Sequence, residues 1–235
     1  MKVLVACEYS QTVATAFRLF GHYAYSCDIL PSEGGYPEYH IRGDVSGILD
    51  GRCTFYTEDG RRHVLSDKWD LIIAHPPCTY LSSAGNRSFS LVHNPAERVI
   101  SRWDSRVRAA IFFMRCYYAD CGMVCVENPV GYMNGCFRKP DQIVNPFQFA
   151  SSVNDDVNYV RKRTCLWLRG LPPLETNDLP APKPVIVRTR SGGVRREYWT
   201  EAINVKERAH IRSRTFSGIA AAMAAQWGGI SHEVC

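Results

Sequence analysis

Residues 1–30, MKVLVACEYSQTVATAFRLFGHYAYSCDIL, contain the pattern that decides the fold. Lys2–Cys7 is a short apolar run rich in Val, which is typical of a buried strand. Gln11–Gly21 carries its apolar residues at helical spacing, and Tyr23–Cys27 indicates the next strand. A strand, a helix and a second strand in this order predict a parallel sheet with crossover helices.

The same alternation continues along the chain. Asp70–Ala74 and Met123–Val126 are further apolar runs of strand length, and Asn94–Asp120 is a long helix candidate with Pro95 near its start. The segment from Val205 to Trp227 is helical by composition. These patterns predict one α/β domain with a smaller appendage near its C-terminus.

Two hairpins interrupt the alternation of strands and helices. In each hairpin, two short strand-like runs flank a turn signal rich in glycine. The first predicted hairpin has its strands at Cys53–Tyr56 and His63–Ser66, and the second has them at Val185–Val187 and Arg195–Trp199.

Composition excludes several classes of protein. The 235 residues are 46% hydrophobic and 22% charged, which is unlike a disordered chain, a collagen or a coiled coil. No apolar run approaches the roughly 18 to 20 residues that span a bilayer, and the N-terminus lacks the pattern of a signal peptide. We therefore expect no membrane partner and a cytoplasmic location, which for a phage-encoded protein is the cytoplasm of the bacterial host.

Ten cysteines are the one unusual count. Without an export signal they are expected to be reduced thiols. Their closest cluster lacks the paired CxxC spacing of a zinc site, so no metal is predicted. Several lie within apolar runs, where cysteine behaves as a small buried hydrophobe.

Positive charge is concentrated in one segment. Residues 183–214 contain nine basic and three acidic residues, a charge of +6, whereas the formal charge of the whole chain is +5. Such a segment favours an anionic partner, most simply nucleic acid, although a solvated basic surface remains the alternative. The candidate nucleic-acid contacts are Arg188, Arg190, Arg195 and Arg196.

Polar residues follow each predicted strand. Because ligands bind outside the carboxyl ends of the strands in an open parallel sheet, these residues predict a site at one edge. Along the chain they are Cys7–Gln11, Asp28, His75-Pro76-Pro77-Cys78 and Glu127-Asn128-Pro129, and Gly43-Asp44-Val45 joins them after a loop.

These residue types indicate particular chemistry. An acid at the end of the second strand, Asp28, can accept hydrogen bonds from a ribose diol. The glycine-rich GxGxxG and GxxxxGK[ST] motifs are absent, which argues against NAD and ATP and leaves an adenosine cofactor without phosphates. Cys78, fixed by two prolines, could add to an electrophilic carbon, or it could be a buried loop thiol. Glu127 could be an acid or a hydrogen-bond partner of a ring nitrogen, or a helix-capping carboxylate.

Several motifs resemble one family. Pro76-Pro77-Cys78 and Glu127-Asn128, each after an apolar strand, resemble the Pro-Pro-Cys and Glu-Asn-Val motifs of S-adenosylmethionine-dependent DNA cytosine-5 methyltransferases. Arg161-Lys162-Arg163 is similar to the Arg-x-Arg element of that family. The stretches VLVACEYS, HPPCTYL, VENPVG and TCLWLRGLPP resemble small phage-type members, strongly to about Leu174 and loosely beyond.

The resemblance implies a fold and a domain organisation. The fold is an α/β, Rossmann-like class I methyltransferase sheet with crossover helices and a small basic C-terminal hairpin appendage. Residues 1–170 form the catalytic domain, and 171–204 are a reduced basic insertion in place of a target-recognition domain. Residues 205–235 form C-terminal helices that pack back on the catalytic domain.

The resemblance also implies a covalent mechanism on DNA. Cys78 attacks C6 of cytosine, Glu127 contacts N3 and the exocyclic amine, and Arg161 and Arg163 orient the thiol and the ring. S-adenosylmethionine then provides the methyl group for C5. The residues implied in cofactor binding are Glu8, Tyr9, Ser10, Gln11, Asp28, Ile29, Asp44, Val45, His75 and Pro76.

The chain departs from the family in three places. Cys7–Gln11 replaces a Phe-x-Gly-x-Gly turn, Pro129 replaces the Val of Glu-Asn-Val, and residues 171–205 are too few for a full recognition domain. Sequence specificity is therefore expected to be low. The alternatives are an amino-methyltransferase, a nucleotide-level pyrimidine methyltransferase, or a degenerate fold that serves as a DNA-binding or host-interaction protein.

Overall fold

A computed structural model describes residues 1–188, 192–197 and 215–229 of the chain. Its centre is a seven-stranded sheet with the strand order β3-β2-β1-β6-β7-β9-β8. These strands are β1 (Lys2–Ala6), β2 (Tyr23–Asp28), β3 (His40–Arg42), β6 (Leu71–Ala74), β7 (Met123–Pro129), β8 (Gln142–Val144) and β9 (Thr164–Arg169). The remaining strands form two separate hairpins, β4 (Cys53–Tyr56) with β5 (Arg62–Leu65) and β10 (Val185–Arg188) with β11 (Val194–Glu197).

Most of the sheet is parallel, as the sequence predicts. Strands β1, β2, β3, β6 and β7 pair in parallel, and the central strands are buried on both faces because helices cover them. Strand β9 is the exception, since it pairs antiparallel with both β7 and β8. The result is a mixed α/β, mostly parallel sheet flanked by helices, which is compatible with a Rossmann-like fold.

Helices cover both faces of the sheet. Within the described residues they are α1 (Thr12–Leu19), α2 (Ala96–Tyr117), the short α3 (Met133–Cys136) and α4 (Ser217–Trp227). On one face, α1 and α4 pack together through Phe17 and Trp227, both fully buried. On the other face, Phe113 of α2 contacts Trp167 edge-on, with ring centroids 5.0 Å apart.

The predicted elements agree with the structure within a few residues. Both hairpins are confirmed, although residues 198 and 199 of the second lie outside the described part of the chain. The C-terminal helix predicted from Val205 is confirmed over Ser217–Trp227, and 205–214 lie outside the described residues. Among the helices that the structure describes, none has the length and apolar character needed to cross a membrane.

Candidate functional site

The carboxyl ends of the parallel strands form the edge at which the sequence places a site. Because β9 is antiparallel, its first residue, Thr164, lies opposite Pro129 at the end of β7. The segment Arg161–Arg163, which directly precedes β9, therefore reaches the same edge as Glu127. The structure thus brings the candidate catalytic elements to one side of the sheet, although they are up to 85 residues apart in sequence.

The two prolines extend from the end of β6 in a fixed path. The His75 amide donates a hydrogen bond to the Ala6 carbonyl (2.9 Å), which continues the pairing with β1. The buried Asn128 side chain donates through Nδ2 to the Pro76 carbonyl (2.7 Å). Since each proline also fixes its own φ angle, the backbone before Cys78 is held from two neighbouring strands.

The turn after the prolines places Cys78 at the surface. Its carbonyl accepts hydrogen bonds from the amides of Leu81 (3.0 Å) and Ser82 (2.9 Å), and its side chain is exposed. The Leu81 carbonyl in turn accepts the Tyr132 amide (2.7 Å), and Ser82 forms a β-bridge with Gly131. The thiol-bearing turn is therefore fastened to the segment that follows β7.

Exposure distinguishes Cys78 from most other cysteines. Burial raises the pKa of Cys27 and Cys116 to about 12 and that of Cys121 to about 11, so these thiols are poor nucleophiles near neutral pH. Among the nine cysteines of the described residues, all unbridged, only Cys78 and Cys136 are exposed. Of these two, Cys78 lies at the carboxyl edge of the sheet.

Glu127 and His75 form a buried pair beside this turn. Nδ1 of His75 lies 3.1 Å from Oε2 of Glu127, and the two side chains are only 8% and 17% exposed. Burial raises the pKa of Glu127, but the hydrogen bond and charge of His75, together with the charge of Lys162, lower it below its usual value. Glu127 is therefore a carboxylate acceptor at neutral pH. Nε2 of His75 is buried and has no hydrogen-bond partner among the described residues.

In the turn after β1, Glu8 is used to cap a helix. Its carboxylate accepts the amides of Val13 (2.6 Å) and Ala14 (3.2 Å), which begin α1. Burial raises the pKa of Glu8, which nearby His75 and these two hydrogen bonds partly oppose. A helix N-terminus is the usual place for a cofactor phosphate in this kind of fold, and here a carboxylate of the chain occupies it.

Gln11 also has a structural role within that turn. Its side-chain amide donates to the Tyr36 carbonyl (2.9 Å) and accepts the Tyr36 amide (3.1 Å), and the side chain is fully buried. The residue has φ 57°, which is uncommon for a non-glycine residue. Tyr9 and Ser10 are half-buried between Glu8 and Gln11, and their assignment to cofactor binding stays a prediction.

Two more carboxylates follow β2 and β3. The Asp28 carbonyl accepts the Gly43 amide (2.9 Å), which brings the loops containing Asp28 and Asp44 together. The Ser46 amide donates to Oδ1 of Asp44 (2.9 Å) and lowers the pKa of this carboxyl. Each acid is followed by a residue that is also predicted to bind the cofactor. These two residues differ in exposure, since Ile29 is 73% exposed whereas Val45 is buried in the core.

Sequence reasoning quotes two further residues of this edge within motifs but assigns them no role. The positive charge of Lys162 lowers the pKa of Glu127. The Arg-x-Arg resemblance instead assigns roles to its two neighbours, Arg161, which is half-buried, and Arg163, which is exposed. Asn128 anchors the proline segment, and its signal was available as a polar residue inside an apolar strand. A buried polar side chain in such a place usually has a specific hydrogen-bond partner.

The basic hairpin is separate from the central sheet. Strand β10 carries Arg188, and β11 carries Arg195 and Arg196, paired with Val187 and Ile186. Arg190 lies outside the described residues. The prediction that these arginines bind nucleic acid stays a prediction. Over the described ranges, no group of three or more His, Cys, Asp or Glu side chains is placed to hold a metal ion.

A shallow cavity of about 260 Å³ lies beside the proline segment, between Pro77 and Arg108 of α2. Tyr80 also lines it, with its ring 5.1 Å from the Arg102 guanidinium and its carbonyl accepting Nε of Arg106 (2.8 Å). The candidate site thus combines an exposed thiol, buried carboxylates and an open cavity beside the proline segment.

Comparison with models of known protein families and with curated proteins found no match for the chain.

Proposed function

We propose that this protein transfers a methyl group from S-adenosylmethionine to C5 of cytosine in DNA through a covalent adduct with Cys78. The observation that carries the proposal is that the segments bearing Cys78 and Glu127 are hydrogen-bonded to each other. Asn128, the residue after Glu127, holds the Pro76 carbonyl, so that Cys78 and Glu127 extend from one rigid pair of strands. A nucleophile and an acid/base group held in this way suit addition to a ring carbon.

Cys78 acts as the nucleophile. Its thiolate adds to C6 of the ring, which forms the S–C6 bond and moves electron density toward N3 and C5. After C5 has accepted the methyl group, the proton at C5 is lost to water, the S–C6 bond breaks and the thiolate leaves. A base within a duplex has to be flipped out first, because C6 is inaccessible in the stack.

Glu127 and His75 act together on the other side of the ring. The ionised Glu127 accepts a hydrogen bond from the exocyclic amine of cytosine, while Nδ1 of His75 donates to Oε2 of the same carboxylate. When density moves to N3 during addition, a proton held by this pair neutralises it, which lowers the barrier to S–C6 bond formation, and N3 returns this proton to the pair when the thiolate leaves. Arg161 and Arg163 orient the thiol and ring from the segment before β9.

The cofactor edge suits a nucleoside without phosphates. Glu8 occupies the α1 amides that a pyrophosphate would need. Asp28 would hold the ribose diol, Asp44 the adenine amine, and the Glu8–Gln11 turn would lie against the methionine portion. S-adenosylmethionine supplies an electrophilic methyl group when bound there.

Methylation of an exocyclic amine is the second candidate, and the loop favours it less. That chemistry requires an aromatic side chain directly after the prolines to stack on the flipped base, and Cys78 occupies this position. Tyr80, two residues later, is packed under Arg102, and Arg106 binds its carbonyl. A thiol at the position where an amino-methyltransferase would carry an aromatic ring supports C5 methylation over amino methylation.

Product analysis tests the proposal directly. The protein is incubated with methyl-labelled S-adenosylmethionine and either duplex DNA, single-stranded DNA or dCMP, and the products are digested to nucleosides. We expect label in 5-methylcytosine from DNA. Label in N4-methylcytosine or N6-methyladenine would replace C5 chemistry with amino methylation, and label only with dCMP would make the enzyme nucleotide-specific. Binding of DNA without any transfer, and without cofactor binding by calorimetry, would support a degenerate binding protein instead.

The buried His75–Glu127 pair predicts a pH-dependent stability change. In His75→Ala, burial of Glu127 is no longer opposed by the hydrogen bond, so the pKa of Glu127 rises. An acid whose folded pKa is lowered contributes stability above its unfolded pKa of about 4.3, and this contribution is lost as pH falls. We therefore expect His75→Ala to lose about 1 to 3 kcal/mol at pH 7 and progressively less below pH about 4.5.

Urea unfolding of His75→Ala at several pH values measures this difference, and His75→Asn serves as the control. Asn keeps an N–H donor of similar reach, so it should recover part of the stability at pH 7. A loss of equal size at all pH values would contradict the role assigned to His75 in keeping Glu127 ionised.

A further inference from the structure

Helix α2 carries a second apolar surface that is largely exposed, although Trp103 at its edge packs against Phe89 and Tyr132 of the same chain. Five large side chains on this surface are 41 to 65% exposed among the described residues. We call them the α2 stripe: Ile100, Trp103, Val107, Ile111 and, just after the helix, Tyr118. Soluble monomers rarely expose contiguous apolar patches larger than a few hundred Å².

Helical geometry separates the α2 stripe from the buried face of α2. At 3.6 residues per turn, the stripe occupies an arc of about 80°. The core face, which includes Val99, Ala110 and Phe113, is centred about 100° away. The residues that the structure describes therefore leave most of the stripe exposed along the 22 residues of α2.

Charges along one flank of the stripe change sign at the middle of α2. Glu97 and Asp104 lie on this flank in the N-terminal half, and Arg108 and Arg115 lie on it in the C-terminal half. Helical periodicity places all four within an arc of about 40°. The flank is thus acidic at one end and basic at the other.

We propose that the α2 stripe is the interface of a homodimer in which two α2 helices pack antiparallel. In a two-fold antiparallel pair, the same flank of each helix meets its own copy in reverse direction. With the axis near Val107, Glu97 lies opposite the partner's Arg115 and Asp104 opposite the partner's Arg108. A parallel two-fold pair would turn this flank away from its own copy, so only the antiparallel arrangement brings its acidic half against the basic half of the partner.

The size of the stripe sets the expected affinity. A single helix pair buries less than the roughly 800 Å² per partner of a standard stable interface. Leu91 and Val92, which are 67% and 87% exposed and precede α2, extend the apolar surface toward the partner's Tyr118. We therefore expect a reversible dimer that dissociates in the micromolar range rather than an obligate one.

Sedimentation equilibrium of the full chain over roughly 1 to 100 μM tests the dimer, since this range brackets a micromolar dissociation constant. We expect the mass to rise from monomer to dimer and Val107→Glu to remain monomeric throughout. The control is Leu19→Glu on α1, an apolar residue that is 82% exposed outside the stripe, which should dimerise as the wild type does. A wild-type monomer at all concentrations, or a dimer unaffected by Val107→Glu, would overturn the proposal.

A charge exchange tests the orientation. Glu97 and Arg115 are separated by about 27 Å within one helix, so they interact only across an antiparallel interface. Glu97→Arg and Arg115→Glu alone should each raise the dissociation constant about three- to tenfold, because the change occurs at two symmetric contacts. The double variant should restore it to near the wild-type value. If the double variant dimerised more weakly than either single variant, this register would be excluded. If the wild type formed no dimer and Val107→Glu had a lower unfolding midpoint, the chain itself would cover the stripe.

Discussion

Cys78→Ala is expected to lower the rate of methyl transfer at least about 10³-fold while leaving the fold intact. Without the thiol no S–C6 bond forms, and C5 of cytosine is too weak a nucleophile to accept a methyl group. The side chain is exposed, and the Cys78 carbonyl that accepts the Leu81 and Ser82 amides is kept in the variant. The unfolding midpoint should therefore stay near that of the wild type.

The adduct itself can be measured. An oligonucleotide with fluorine at C5 of cytosine leaves no proton to be lost after methyl transfer, so the S–C6 bond persists and a covalent complex survives denaturing electrophoresis. We expect this complex with wild type and with Cys136→Ala, the matched control that removes the other exposed thiol of the described chain. Cys78→Ala should give none. Transfer by Cys78→Ala at the wild-type rate would make the covalent mechanism wrong.

The central part of the fold and the edge that carries the site could be predicted from sequence. Apolar runs such as Lys2–Ala6 and Leu71–Ala74 are buried on both faces, and residues that follow such strands meet at one edge whatever their separation in sequence. The antiparallel strand β9 was not predicted as a strand. Its pairing between β7 and β8 depends on contacts over long sequence separations, for which local periodicity gives no signal.

The roles of side chains within the turn after β1 could not be predicted from sequence. The resemblance assigns Glu8 and Gln11 to the cofactor, whereas the structure shows both side chains buried and bonded to the protein's own backbone. The reason is that the first amides of a buried helix need acceptors, and here the Glu8 carboxylate supplies them. Under the proposed function, the backbone of this turn and the half-buried Tyr9 and Ser10 are the parts left for a cofactor.

Gly131→Ala is expected to have the second-largest effect, because it separates the Cys78 turn from β7. A Cβ at this position would overlap the carbonyl oxygen of Leu81, which is backbone and bonded to the Tyr132 amide. The two segments have to move apart, at a cost of about 1 to 3 kcal/mol in the free energy of unfolding. A shift of the thiol by about 1 Å relative to Glu127 lowers the transfer rate about 10²-fold even in the folded protein.

Gly135→Ala is the matched control for this substitution. Gly135 lies within α3, and an added Cβ there meets no atom within 4 Å outside its chain neighbours and its own helix backbone, so stability and rate should remain close to those of the wild type. Denaturant unfolding and the single-turnover transfer rate measure the two effects on the same preparations. If Gly131→Ala were destabilised as expected and yet transferred methyl groups at the wild-type rate, the attachment of the Cys78 turn to β7 would not be what positions the thiol. A loss of rate in Gly131→Ala but not in Gly135→Ala would instead locate that positioning in the contact between Leu81 and Gly131.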